Sequence, residues 1–278
     1  MNQDSATVCL ELESRPECVT LVRSALSGLG ERLELDAELL DDLKTAISEA
    51  CNNVVLHAYG DEPGPLVVRL EITSDGVDVV VRDHGSGIKR VAPGEDRMGV
   101  GLAVISALAD RAEFVTGPEG GTDVRMSFTR GGAGLKLADF VLGARSNSER
   151  LELPGDIILS VSPVSILAPI FGRLARAVAA GKHFSVDRFS DLYLIADAIA
   201  AYAQRAATGD RPLTVSINSE NRRLEMALAP FTTGSGSHLQ SVPDEEPGSS
   251  ALAGLADRLE IEAWEGAELL RVLVLDRR

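Results

Sequence analysis

Three short stretches hold residues whose types and spacing suit chemistry better than packing. In Glu49-Ala50-Cys51-Asn52-Asn53-Val54-Val55-Leu56-His57-Ala58-Tyr59, an acid and an amide stand four residues apart. On a helix that spacing stacks them on one face, with His57 a turn further on. Such a pair has little packing value on a core helix and points into a site. Asn53 offers a neutral oxygen of the kind Mg²⁺ accepts beside water and phosphate. Next, Asp83-His84-Gly85-Ser86-Gly87 follows an apolar run. An acid at a strand end can accept a hydrogen bond from an exocyclic amine, and Gly85 and Gly87 permit close backbone approach. Finally, Gly99-Val100-Gly101-Leu102 opens a helix, where free amides and the helix dipole favour phosphate. Each stretch alone is common. Their order along the chain is not.

The elements that would position them follow from periodicity. Ala6 to Leu12 reads as a strand. Pro16 opens a helix with Val19, Val22, Leu26 and Leu29 on one face, ended by Gly28 and Gly30. A long helix from about Asp36 repeats Leu39, Leu40, Leu43, Ile47, Ala50 and Val54, and Gly60 with Pro63 stops it. Leu66 to Ile72 and Val77 to Arg82 are strands joined by a turn carrying Asp75-Gly76, a strong hairpin signal. A helix carries Leu102, Val104, Ile105 and Leu108. Strands Ala112 to Thr116 and Thr122 to Phe128 close the plan. This order predicts an α+β sandwich, one sheet with helices on one face.

The second half repeats the plan. Strand, helix, longer helix (Ser185 to Ala207), hairpin, Gly/Ser-rich loop, short helix and two strands follow in turn. Leu108-Ala109-Asp110-Arg111 returns as Leu255-Ala256-Asp257-Arg258, and Asp42-Leu43 as Asp191-Leu192. The polar set does not return. At the matching offsets Glu49 becomes Ala198, Asn53 becomes Tyr202 and Asp83 becomes Pro230. The reading is a tandem duplication: a site-bearing domain over 1–130, a linker over 131–153 and a degenerate copy over 154–278.

Taken together, acid-x-x-x-Asn, Asp-x-Gly-x-Gly, Gly-x-Gly and a Gly-Thr on the last strand resemble the nucleotide-binding boxes of the GHKL superfamily. Glu-Ala-x-x-Asn-x-x-x-His-Ala-Tyr, with Arg97-x-Gly-x-Gly-Leu later, looks like the anti-sigma-factor serine kinase branch. The resemblance covers roughly residues 6 to 130. It implies two tandem sandwiches of the histidine-kinase-like ATPase type, each with one mixed, mostly antiparallel sheet. It implies ATP with Mg²⁺ as cofactors, Asn53 as metal ligand and Glu49 as the base toward an incoming serine hydroxyl. Arg97 would neutralise phosphate charge, Asp83 would read adenine, and Gly85, Gly87, Gly99, Val100, Gly101, Leu102 and Thr122 would line the nucleotide. His57 is expected to be structural or lid-facing. Lys89 and Arg90 are either phosphate contacts or an exposed basic pair. Gly234-Ser235-Gly236-Ser237 mimics a phosphate loop but lacks a following Lys, and reads as a flexible loop.

The implied activity is a protein serine/threonine kinase. It would phosphorylate an anti-anti-sigma protein of the STAS type and hold a sigma factor. The alternative is an ATP-gated binding regulator with little or no kinase activity. Bulk properties agree with a cytoplasmic regulator. Hydrophobic residues make up 45% and charged residues 25% of 278, enough for two cores. A net charge of −15 argues against nucleic acid or an anionic membrane as direct partner and favours a basic protein segment. Cys9, Cys18 and Cys51 lack metal-ligand spacing and read as buried free thiols. No leader is visible at the polar N-terminus. The apolar run Ile157 to Phe171 is broken by Ser160, Ser162, Pro163 and Pro169, too short to span a bilayer. The second copy is expected to replace a second protomer, giving a pseudo-dimeric monomer.

Overall fold

A computed structural model describes residues 5–87, 98–117, 120–129, 153–209, 211–237, 239 and 249–277. They fall into two compact units, one within 2–139 and one within 140–278.

The first unit runs β1 (Ala6–Glu13), α1 (Glu17–Arg32), α2 (Ala37–Asn53), a π-helical turn (Val54–Ala58), β2 (Pro65–Ile72), β3 (Gly76–Asp83), α3 (Met98–Leu108), β4 (Arg111–Thr116) and β5 (Thr122–Thr129). Its strands lie in the order β4-β5-β3-β2-β1, and every ladder is antiparallel. Alternate residues are buried: Leu66, Val68, Leu70 and Ile72 on β2, Val77, Val79 and Val81 on β3, Val124, Met126 and Phe128 on β5. Period-two alternation of this kind gives one core face. Asp83 closes the buried row of β3, and Thr122 opens that of β5.

Two sequence expectations change. Helix α1 does not end at Gly28 or Gly30 but continues to Arg32. Both glycines are buried, and a Cβ on Gly30 would lie 2.6 Å from Leu40 Cδ2. Gly30 is there for close helix packing, and neither glycine is a stop. The long helix also breaks its own period. Asp36 caps α2 by accepting from the Glu38 amide at 2.9 Å, and α-geometry gives way to a π turn right after Asn53. Single π turns of this kind collect at functional sites.

The second unit runs β6 (Ile157–Ser162), a 3₁₀ turn (Val164–Ile166), α4 (Leu167–Gly181), α5 (Val186–Ala206), β7 (Leu213–Glu220), β8 (Arg223–Phe231), α6 (Ser249–Leu255), β9 (Arg258–Trp264) and β10 (Ala267–Leu275). Its strand order is β6-β7-β8-β10-β9, again antiparallel. Element for element this is the order of the first unit. The apolar run at its start is not one helix: β6 ends at Ser162 and α4 begins at Leu167. The segment Val164–Gly181 is long and apolar enough by composition to cross a membrane. Here Leu167, Ile170, Phe171 and Leu174 are buried in the unit's core.

The repeated Leu-Ala-Asp-Arg has a structural cause. Asp110 accepts from the Thr129 amide (2.6 Å) and hydroxyl (2.7 Å). Asp257 accepts from the Leu275 amide at 2.8 Å in the second unit. The Asp110 and Asp257 amides donate to Ser127 and Leu273 carbonyls at 3.0 and 2.9 Å. Each Asp thus fastens the start of one hairpin strand to the end of the next. The backbone and hydroxyl bonds from Thr129 hold the Asp110 carboxyl below its ordinary value of 3.8. A depressed carboxylate pKa adds stability above the unfolded value and loses it as pH falls through the folded one. Asp110→Asn is expected to destabilise the first unit at pH 7, and the difference from the wild type is expected to vanish as pH falls through the depressed folded-state value of the Asp110 carboxyl, as denaturant melts over an acidic pH series would read.

Candidate functional site

The π turn and α3 together build a polar corner. Asn53 ends α2, and Glu49 sits one turn earlier on the same face. Gly101, in the first turns of α3, lies against both. A Cβ there would stand 3.2 Å from Glu49 Oε2, 3.3 Å from Asn53 Oδ1 and 3.4 Å from Asn53 Nδ2. A side chain at 101 would therefore press on the acid and the amide. Asn53 Nδ2 is buried and, among the described residues, has no hydrogen-bond partner. A buried donor left unmade costs about 1–3 kcal/mol, so this amide is placed for something other than the fold. Val100 beside it is 63% exposed, and Leu56 on the π turn is 65% exposed. Leu102 is half-buried and His57 is exposed.

The second wall is the loop after β3. Asp83 is 5% exposed and pairs in register with Thr122, itself 7% exposed. Both therefore face the helical side of the sheet. One carboxylate oxygen of Asp83 accepts from the Gly85 amide at 2.8 Å. Among the described residues no hydrogen-bond donor is found on the other oxygen, which leaves it able to receive an amine. The loop passes so near its neighbours that glycine is required. A Cβ on Gly85 would lie 2.1 Å from the Ala58 carbonyl oxygen, and one on Gly121 would lie 2.5 Å from that of Asp83. Gly87 has φ +74, and Gly121 has φ +75. The Ser86 amide donates to Ala58 (2.9 Å) and the Gly121 amide to Gly85 (2.7 Å). The Tyr59 hydroxyl accepts from the His84 amide at 2.8 Å and donates to the Pro65 carbonyl at 2.6 Å. Burial raises the Tyr59 phenol pKa, so it stays a donor at neutral pH.

The structure thus brings Glu49, Asn53 and Gly101 together at one corner, and Asp83, Gly85 and Thr122 at another, with Ala58 and the π turn between them. Gly99 and Val100 lie in the first turn of α3. Arg97, Lys89 and Arg90 lie outside the described residues. Among the described residues no group of three or more His, Cys, Asp or Glu could hold a metal. A metal here would lean on Asn53 and on the ligand's own oxygens. The oxygen of a half-buried amide whose donor is unspent among the described residues fits Mg²⁺ in that manner. Cys18 on α1 and Cys51 on α2 are buried. Burial pushes the Cys18 thiol up to about 11 and Cys51 well above its ordinary value, so neither supplies a nucleophile.

The corresponding place in the second unit is filled by its own side chains. Tyr202, at the Asn53 offset, packs on Phe231 with ring centroids 4.8 Å apart. In the ladder Phe231 faces Glu268, as Asp83 faces Thr122 in the first unit. Sequence offset puts Pro230 at the Asp83 place, but the register shifts there. Leu270 pairs with Leu228 while Glu268 pairs with Phe231, so β8 carries an extra residue beside Pro230. Proline has no amide to give the ladder, and a bulge absorbs it. The Gly234-Ser235-Gly236 loop is not loose. Glu268 accepts from the Gly234 and Gly236 amides at 2.6 and 2.8 Å and from Ser235 Oγ at 3.2 Å, and Tyr202 meets the same hydroxyl at 2.9 Å. Burial opposes the Glu268 charge, yet these bonds hold its carboxyl below the ordinary value. The loop amides that would greet an external anion are occupied by an internal one.

The comparisons with known proteins fall on the first unit's site. The family model for the histidine kinase-like ATPase domain matches residues 12–128. The serine-protein kinase RsbW of Listeria innocua is 36% identical over 118 residues, 37% of this chain and 75% of that protein. The chain belongs to this family. The RsbW of Bacillus pumilus is 31% identical over 130 residues, covering 41% of the chain and 80% of that protein. An anti-sigma F factor from Caldanaerobacter subterraneus is 30% identical over 128 residues, covering 42% and 90%. These findings agree with the expected α+β class and with the anti-sigma kinase branch.

Sequence reasoning missed Tyr59 as part of the site, although it stood at the end of the quoted motif. It also missed Ala58 as a carbonyl anchor, because backbone contacts leave no mark in side-chain patterns. If the Asn53 donor is an uncompensated cost, Asn53→Ala is expected to leave the melting temperature unchanged or raise it by a few degrees. Leu43→Ala, in the same helix but fully buried, should cost about 2–5 kcal/mol. Thermal melts of the two variants check this.

Proposed function

We propose that the first unit binds ATP with Mg²⁺ and transfers its terminal phosphate to a serine or threonine of a STAS-type antagonist protein. In the resting regulator it would hold a sigma factor. The observation that carries the reading is the corner where Gly101 lies against Glu49 and Asn53: phosphate-favouring backbone, a carboxylate and a neutral metal-binding oxygen meet there. The printed names of the relatives, serine-protein kinase and anti-sigma factor, support it.

The roles proposed for the residues are these. Asp83 receives the exocyclic amine of adenine on the oxygen that Gly85 leaves free, and Thr122 stands across the ladder to close that end. Gly85 and Gly87 let the base lie against backbone. Gly99, Val100, Gly101 and Leu102 present α3's first amides to the phosphates. Asn53 holds the metal, which when bound draws charge from the phosphate oxygens. Glu49, one turn back, takes the proton of the attacking hydroxyl. Arg97 lies outside the described residues, and its proposed role of neutralising phosphate charge rests on the resemblance of Arg97-x-Gly-x-Gly-Leu alone.

The second unit is, on this proposal, a duplicated copy that lost the site and kept the scaffold. The site-bearing, linking and degenerate segments then run 1–130, 131–153 and 154–278. The shared strand order and the shared Asp110 and Asp257 bonds support this. A copy standing in for a second protomer makes the chain a pseudo-dimeric monomer acting in the cytoplasm. Its acidic balance suits a basic sigma segment and neither nucleic acid nor membrane.

The test is phosphate transfer from labelled ATP to the STAS-domain proteins of the same genome. Glu49→Ala is expected to lower transfer by about 10²-fold or more while ATP affinity, read by calorimetry, stays near that of the wild type. Partner control that survives Glu49→Ala undiminished would instead favour an ATP-gated binder without kinase activity.

A further inference from the structure

Three consecutive amides of the loop after β3 are held in place. His84 donates to the Tyr59 hydroxyl, Gly85 to Asp83, and Ser86 to the Ala58 carbonyl. Two of the three anchors belong to the two residues that follow directly on one another at the end of the π turn. Tyr59 is the side chain among them that reaches in from another element. Its ring is in turn fixed from below. A Cβ on Gly64 would lie 2.2 Å from Tyr59 Cε1, and the phenol proton goes to the Pro65 carbonyl at 2.6 Å. The hydroxyl's one proton is thus committed to Pro65, and it accepts from the His84 amide in turn.

What the hydroxyl fixes is the peptide between Asp83 and His84. That peptide sets where the Asp83 carboxylate points, because the Gly85 amide closes a short turn back onto it. We propose that Tyr59 is the positioning residue for base selection: its hydroxyl aims the free oxygen of Asp83 at the 6-amino group of a purine nucleotide. This rests on the nucleotide reading above and adds a specificity device to it. A guanine-like 6-oxo base offers no donor at that place, and an acceptor would face the carboxylate directly. Without the Tyr59 hydroxyl the His84 amide has no partner and the turn loosens. The phosphate corner at Asn53 and Gly101 does not depend on it.

The experiment is calorimetric titration of the full chain with ATP and with inosine triphosphate, which lacks the 6-amino donor. Tyr59→Phe keeps the ring over Gly64 and removes the hydroxyl alone. It is expected to weaken ATP about three- to tenfold and to leave inosine triphosphate within about twofold, so the preference for ATP shrinks. Gly64→Ala, which pushes the ring aside, should shrink it in the same direction and serves should Tyr59→Phe fold poorly. Amide exchange gives a direct readout: His84 loses protection in Tyr59→Phe while Val79, inside β3, keeps it. A wild type that prefers ATP beside a Tyr59→Phe chain with the same preference overturns the assignment alone. Equal losses for both triphosphates overturn it too, since they would mean general loosening. A wild type that takes up neither triphosphate overturns the nucleotide reading and the assignment with it.

Discussion

The site depends on a backbone approach too close for side chains. Gly85 runs against the Ala58 carbonyl, and Gly121 against that of Asp83. These contacts wedge the loop after β3 between the end of the α2 segment and the turn joining β4 to β5. A methyl group at either glycine would land inside van der Waals distance of backbone oxygen, and backbone cannot swing away as a side chain does. The loop's position is therefore fixed by excluded volume first and by hydrogen bonds second. That order matters, because hydrogen bonds alone contribute about 1 kcal/mol each and would leave a polar loop mobile.

The π turn is the other half of the same constraint. An ordinary helix through Ala58 would carry its carbonyls along the helix axis to amides four residues ahead. The π turn and the extended Tyr59 that follows, with φ −118 and ψ 152, free the Ala58 carbonyl for the Ser86 amide. The same distortion begins just after Asn53. The residue that ends regular helix geometry is thus the one with the unspent amide, and the chain beyond it turns to grip the base loop. Packing, loop geometry and an uncompensated polar group meet within seven residues.

Much of this was legible in the sequence and some was not. The strands, the helices and the hairpin at Asp75-Gly76 were readable because period two and period 3.6 differ plainly in runs such as Leu66 to Ile72 and Leu39 to Val54. The grouping of Glu49 and Asn53 followed from spacing alone. The π turn did not, since Val54-Val55-Leu56-His57-Ala58 continues the helical pattern and only tertiary contact decides its hydrogen bonds. Gly28 and Gly30 read as stops because glycine is a poor helix residue. Close contact with Leu40 outweighs that cost. In the second half the offset pointed to Pro230 opposite Asp83, and the bulge that hands the place to Phe231 is a ladder event without a sequence signature beyond the proline itself.

The contrast between the units shows what a site costs a fold. In the first, Asn53 keeps a buried donor unpaired, and Asp83 holds one carboxylate oxygen in reserve. In the second, the matching place is closed. Tyr202 stacks on Phe231, and Glu268 spends its charge on the amides of its own Gly-Ser-Gly loop. Among the described residues, the Gly234 and Gly236 amides and the Ser235 and Tyr202 hydroxyls that an outside anion would have met have inside partners. A pocket under no demand to bind drifts toward that condition, because filling it with rings removes cavity and pairing its amides removes unmet donors. The same strand order can therefore carry an open polar site or a plugged one. Which of the two a sequence builds is decided by three positions: the end of the long helix, the end of the third strand and the start of the last.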